Sequence, residues 1–244
     1  MNHSLFIRNV MIDWDKVSAD SYLRRIEAIR NLKNLTFTSP VTFFAGENGS
    51  GKSTLLEAIA VAAGFNPEGG TKNYAFSTYD SHSSLYEAVR LGRGVNRMRS
   101  GYFLRAESFY NVASKEDEYS RGPGGNPQHY HEKSHGESFL AIAQNHFNAD
   151  GLYLLDEPEA ALSPQRQLTL LLEIIECVKR NSQFIIVTHS PILLGMPECE
   201  ILSFDQGTIH PISYEETDSY RITNLFINQR ERFLRQLLSE DEEL

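Results

Sequence analysis

Two hydrophobic rhythms alternate along this chain. Residues 41–45 (Val-Thr-Phe-Phe-Ala), 152–155 (Leu-Tyr-Leu-Leu) and 184–187 (Phe-Ile-Ile-Val) are short, nearly unbroken apolar runs, which predicts strands covered on both faces. Residues 5–10 and 102–106, with Leu35 and Phe37, read as further strands. Between these runs the apolar period lengthens to that of an amphipathic helix. Leu55, Leu56, Ile59 and Ala60 mark a helix over residues 54–63, closed by Gly64. Phe139, Leu140, Ile142, Ala143 and Phe147 mark another after Gly136. Leu168, Leu171, Leu172, Ile175 and Val178 give residues 164–180 one apolar side. Residues 84–91 predict a short helix, residues 22–30 a helix or an irregular segment, and residues 219–238 a closing helix. A hairpin is expected from residues 200–204 to residues 208–212 through Gln206 and Gly207. Strands alternating with helices predict an α/β fold with a mainly parallel sheet and an antiparallel portion at the ends.

The rhythm breaks in two places. Residues 65–82 are polar and rich in turn formers, and residues 116–134 carry glycines, prolines and charges with no apolar period. The second stretch predicts a surface loop of a kind that often carries function. One domain over residues 1–244 is therefore expected. It has a short helical and loop insertion at about residues 65–135, and a C-terminal helix with an acidic tail from about residue 213.

The chemistry gathers at the ends of the buried runs. Behind the first stands Gly46-Glu47-Asn48-Gly49-Ser50-Gly51-Lys52-Ser53-Thr54, a strand, glycine loop and Lys-Ser pair of the P-loop pattern. Glycines let the loop take angles a side chain forbids, so its N–H groups and the next helix's N-terminus can bind phosphate oxygens. Lys52 suits the β- and γ-phosphates, and the Ser53 hydroxyl suits Mg²⁺. The second run ends in Asp156-Glu157-Pro158. Asp156 is placed to hold Mg²⁺, and Glu157 to take a proton from a water attacking the γ-phosphate. The third run delivers Thr188 and His189 to the strand edge where open α/β sheets bind ligands. Nucleotide triphosphate binding follows, with Lys52, Glu157 and His189 as candidate catalytic residues.

Composition narrows the setting. A net charge of −9, with 23 Lys and Arg against 32 Asp and Glu, argues against broad coating of nucleic acid. Arg90, Arg93, Arg97 and Arg99, and likewise Arg230, Arg232 and Arg235, read either as solvated surface or as local basic strips. No apolar run approaches the ~20 residues that span a bilayer. The first residues also lack the build of a secretory signal, so a cytoplasmic protein with no direct membrane insertion is expected. Cys177 and Cys199 form no C-x-x-C pair and read as buried thiols. His129, His131 and His135 lie in the loop without a complete metal-ligand set.

With these motifs the chain resembles the ATP-binding-cassette (ABC) ATPases, in particular their soluble branch with SMC and RecF-like proteins. The resemblance runs from Val41 to Pro191. It implies a P-loop NTPase fold of the ABC type, with ATP and Mg²⁺ bound by Walker A (Gly46 to Thr54), Walker B (Leu152 to Pro158) and a switch histidine, His189. The family's Leu-Ser-Gly-Gly-Gln/Glu signature has its counterpart in Lys133-Ser134-His135-Gly136-Glu137. Ser134, Gly136 and Glu137 match it, whereas Lys133 and His135 depart from it. The resemblance implies that these matching residues cover nucleotide held by a second copy, in a head-to-tail homodimer formed on ATP binding. Glu107, with Ser108 next to it, fills the place of the family's metal-sensing Gln, and Ser163 stands where its D-loop has Asp. Tyr22 is one candidate for the adenine-stacking aromatic, a core or surface tyrosine being the other reading. The whole sequence is also similar to a small bacterial group of stand-alone predicted ATPases. Three uses remain open: a DNA-associated or defence-related ATPase, a transporter's ATPase subunit, and a nucleotide switch for a partner protein.

Overall fold

A computed structural model describes residues 5–72, 83–105 and 135–240. The chain opens with β1 (Ile7–Ile12). A 3₁₀ turn at Tyr22–Arg25 and a single helical turn, α1 (Glu27–Arg30), lead to β2 (Asn34–Thr36), β3 (Val41–Ala45) and α2 (Lys52–Ala63). Next come a one-turn α3 (Leu85–Ala88), β4 (Val89–Arg93) and β5 (Ser100–Arg105). After residue 134 follow α4 (His135–His146), β6 (Gly151–Asp156), α5 (Pro164–Lys179), β7 (Gln183–Val187) and α6 (Pro191–Leu194). The short β8 (Glu200–Ser203) and β9 (His210–Pro211) precede the long α7 (Asp218–Glu240).

Two sheets result. The larger has the order β5-β6-β7-β3-β8-β9 and is parallel except for β9, which turns back on β8 through the expected hairpin. The smaller, β2-β1-β4, is wholly antiparallel. Gln183 joins the two: its side-chain oxygen accepts from the backbone N–H of Phe6 and Ile7 at 2.8 and 2.9 Å.

Every residue of β3, β6 and β7 is buried. Their side chains alternate between two cores, as a period of two requires. Phe44, Leu154, Ile185 and Val187 face α2 and the small sheet, whereas Phe43, Tyr153, Leu155, Phe184 and Ile186 face α4 and α5. Covering on both sides is why these strands read as unbroken apolar runs.

Two expectations need correction. Residues 84–91 do not form one helix: only Leu85–Ala88 is helical, and Val89 already pairs with Ile12 in the small sheet. The β-branched Val89 and the partner strand β1 win over weak local helix propensity. On α5 Leu171, Ile175 and Val178 pack partly buried against the core as expected, but the buried stripe is Gln167, Leu170, Ile174 and Cys177, and Leu168 and Leu172 are exposed. The helix is rotated from the side its leucines suggest, because Gln167 is drawn inward. Its amide donates to Leu162 O at 3.0 Å and its oxygen accepts from Ser190 Oγ at 2.5 Å.

Candidate nucleotide site

The C-terminal ends of β3, β6 and β7 converge because the three strands share one parallel register. Backbone bonds close that edge: Thr188 N–H donates to Phe44 O, and Glu157 N–H to Val187 O. The residues predicted from three distant sequence segments are therefore brought to one place.

The loop behind β3 takes the turn its glycines allow. Gly46, Gly49 and Gly51 have φ of +133°, +80° and +100°. At Gly51 a Cβ would also stand 2.7 Å from Ile26 Cγ2 and 2.8 Å from Ile29 Cγ1, so glycine is required there twice over. Gly51 caps α2, whose first-turn N–H groups lack carbonyl partners within the helix and point into the loop. Lys52 is buried and folds back over this loop, donating to Gly46 O and Glu47 O, both at 2.7 Å. Burial pushes its pKa below the usual lysine value of 10.5, against the attraction of Asp205, Glu157, Asp156 and Glu47. Phosphate oxygens bound at the loop would add negative charge beside it and favour its charged form.

Ser53 Oγ donates to Asp156 Oδ1 at 2.8 Å, joining the two Walker segments across the sheet. A hydroxyl and a carboxylate are hard oxygen donors of the kind Mg²⁺ takes in partnership with phosphates. Among the described residues no group of three His, Cys, Asp or Glu could hold a metal ion.

Beside Asp156, Glu157 has a left-handed backbone, φ +51° and ψ +51°. That conformation costs a non-glycine residue on the order of 1–3 kcal/mol. The backbone bond to Val187 O holds it in place, and its side chain is half-exposed toward the loop. His189 Nε2 lies 3.9 Å from Glu157 Oε1, too long for a hydrogen bond. The backbone N–H of His189 donates to Glu159 Oε1 at 2.6 Å. Glu159 Oε2 and His189 Nε2 are both buried without a hydrogen-bond partner among the described residues.

Sequence reasoning missed three residues at this edge. Glu159 fixes the backbone of His189. Asp205, just past β8, accepts from Glu47 N–H at 2.8 Å and braces the P-loop from outside. Arg105, at the end of β5, lies beside Asp156. Strand order reveals Arg105 and Asp205, and the bond to the backbone of His189 reveals Glu159.

Among the described residues the P-loop borders at least two clefts. One, of about 520 Å³, lies between Gly46 to Asn48, His189 and the start of α7 at Thr217 to Thr223. The other, of about 550 Å³, lies between Glu47 to Ser50 and Arg25 to Ala28. Tyr22 is exposed and lines neither. Gly136 and Glu137 line neither as well. They begin α4 against the segment after Walker B: Glu137 pairs with Arg166 at 3.1 Å, and a Cβ on Gly136 would stand 2.8 Å from Ala161 O. Ser134, Glu107 and Ser108 lie outside the described residues, as do Lys133, His129 and His131.

Comparisons with known proteins bracket the same site. Residues 22–120 match a family model described as an AAA domain. Residues 138–195 match a second, described as "AAA domain, putative AbiEii toxin, Type IV TA system". No curated protein matches the chain by sequence. Among solved structures, an SMC head domain from Thermotoga maritima is similar at 16% identity, covering 86% of this chain and 99% of that one, with a TM-score of 0.46. An ATP-binding cassette of an ABC transporter is similar at 17% identity, covering 87% and 93%, with a TM-score of 0.47. The cbiO1 protein from Clostridium perfringens, described as part of an ABC transporter complex, is similar at 14% identity, covering 96% and 99%, with a TM-score of 0.49. The P-loop falls within the first AAA-domain match, and the Asp156-Glu157 pair and His189 fall within the second, so the chain is similar to AAA domains over both segments that build this site.

Proposed function

We propose that the protein binds and hydrolyses ATP as an ATP-dependent head-to-tail dimer, in a DNA-associated or defence-related process of the cytoplasm. The observation that carries the hydrolytic reading is the hydrogen bond from Ser53 to Asp156, with Glu157 and His189 on the same sheet edge. The P-loop N–H groups and Lys52 would hold the triphosphate, Lys52 leaving its two carbonyl partners for phosphate oxygens. Ser53 and Asp156 would hold Mg²⁺, with Glu107 as a further candidate, and the cation supplies charge neutralisation at the phosphates. Glu157 takes a proton from water as the water oxygen bonds to the γ-phosphorus and the bond to the β–γ bridging oxygen breaks, giving ADP and phosphate. His189, its backbone held by Glu159, presents a ring nitrogen to the γ-phosphate.

The dimer reading rests on what this half-site leaves open. Gly136 and Glu137 lie against α5 rather than along either P-loop cleft. The signature segment of a second copy, Ser134 included, is thus the one to cover the nucleotide. Contacts made by the γ-phosphate alone would favour the closed dimer with ATP and the open one with ADP. The second family model, described as covering a toxin of a toxin–antitoxin system, supports a defence-related use. Exposed Arg230, Arg232 and Arg235 on α7 support local contact with DNA despite the negative net charge. Among the described residues no helix is long and apolar enough to cross a membrane.

Size exclusion of the Glu157→Gln protein with ATP and Mg²⁺, run with and without duplex DNA, tests this reading. A shift to dimer mass with ATP but not ADP is expected, together with DNA co-elution that weakens as salt rises. A monomer under every nucleotide condition would overturn the dimer.

A further inference from the structure

We propose that Arg105 is a positioning residue for Asp156, on the reading that Ser53 and Asp156 are the protein ligands of the divalent cation. Parallel pairing sets Arg105 opposite Asp156 at the ends of β5 and β6. In a parallel pair, residues in register leave the same face of the sheet. Here that face is the one packed on α2, since Phe103 and Leu154, two residues earlier on each strand, belong to the core containing α2.

The guanidinium sits in a fixed seat. Its Nη1 donates to Glu57 Oε2 on α2 at 2.6 Å and to Pro67 O at 3.3 Å. Its carbon lies 5.8 Å from the Phe103 ring centre. Glu57 is anchored in turn, accepting at Oε1 from Ser83 N–H at 2.8 Å. The Arg105 side chain is only 17% exposed, and those of Glu57 and Asp156 only 9%. Charges this buried act on one another with little screening.

From this seat Arg105 Nε faces Asp156 Oδ2 at 3.6 Å, while Asp156 Oδ1 accepts from Ser53. The contact is electrostatic rather than a hydrogen bond. It pulls one carboxylate oxygen toward β5 and leaves the other turned to Ser53, where the cation would lie. It also offsets the repulsion between Asp156 and Glu57, two buried carboxylates on either side of one guanidinium. A purely structural clamp of α2 to β5 would need only the Glu57 bond. The second contact, to a Walker carboxylate, distinguishes a positioning role. A lysine keeps the charge but lacks the planar fork that serves both neighbours at once.

The test is the Mg²⁺ dependence of nucleotide binding, read as fluorescence of a labelled ATP analogue in wild type, Arg105→Lys and Arg105→Gln. Residues supporting a metal ligand typically change metal affinity by about 10–100-fold when replaced. The half-saturating Mg²⁺ concentration should rise by about that factor in Arg105→Gln and by several-fold in Arg105→Lys. Nucleotide affinity in EDTA should stay within about threefold of wild type. Unchanged Mg²⁺ dependence in folded variants would overturn the positioning role while leaving the nucleotide site intact. If Arg105→Gln does not fold, Arg105→Lys decides by the same measure. Wild-type protein whose nucleotide binding ignores Mg²⁺ would remove the cation reading itself, and this role with it.

Discussion

Lys52 and Asp156 keep only 4% and 7% of their surface, whereas the side chains of Glu157 and His189 keep 45% and 38%. All four stand at one sheet edge. On the phosphate side the charged ends are already occupied: Lys52 by two carbonyls, Asp156 by Ser53 and Arg105, and the P-loop backbone by Asp205. On the water side, His189 Nε2 and one oxygen of Glu159 are buried without hydrogen-bond partners among the described residues. One side of this edge is thus held by contacts within the chain, while the other keeps buried polar atoms without hydrogen-bond partners among the described residues. Buried polar groups are as a rule hydrogen-bonded, and those that are not call for an explanation.

The comparison can be broken from either side, and the largest effect is expected on the phosphate side. Lys52→Ala should lower ATP affinity by about 10²-fold or more, the loss of charge-assisted bonds to two phosphates. Near-normal affinity by calorimetry would mean that this grip does not depend on Lys52. Glu157→Gln should leave ATP affinity close to wild type and lower turnover by about 10²–10⁴-fold. Turnover within a few-fold of wild type would remove Glu157 as the base and blur the division between the two sides.

A smaller effect tests how firmly the loop is built. Gly51→Ala combines a forbidden backbone angle with contacts to Ile26 and Ile29, whereas Gly49 has the angle but nothing within 4 Å of a Cβ. Gly49→Ala should cost about 1 kcal/mol in denaturant unfolding, and Gly51→Ala about 2–3 kcal/mol. Equal losses would show that the α1 packing beneath the loop contributes little.

The smallest effect concerns pH. Burial lowers the Lys52 pKa in the free protein, and bound phosphates would raise it. The complex then binds more protons than the free protein between those two values. ATP affinity should fall as pH rises through the lowered lysine value, with at most one proton taken up on binding. Calorimetry in buffers of different ionisation enthalpy reads that proton, and Lys52→Ala should abolish it.

Much of this was legible in the linear chain. The P-loop, the Asp156-Glu157 pair and His189 each sit directly behind a buried run, so motif and strand announce each other. Period told buried strand from amphipathic helix wherever the run was long. It failed at residues 84–91, where one helical turn passes straight into a strand, and in part on α5, where the bonded Gln167 turns toward the core and its neighbour Leu168 stays exposed. The supporting residues were illegible for a different reason. Arg105 matters through its register with Asp156, Asp205 through the neighbouring of β3 and β8, and Glu159 through a bond to the backbone of His189.

The linear chain, then, was enough to propose the chemistry: which groups would grip phosphate, which would carry the cation and which carboxylate would act on water. Those properties belong to residue types at fixed short spacings, and short spacings survive in any fold that keeps strand, loop and helix. Tertiary structure decided which of these groups are buried, which are braced and which are left open. That depends on strand order and register, set by the packing of two cores against one sheet, and on contacts between residues far apart in the chain.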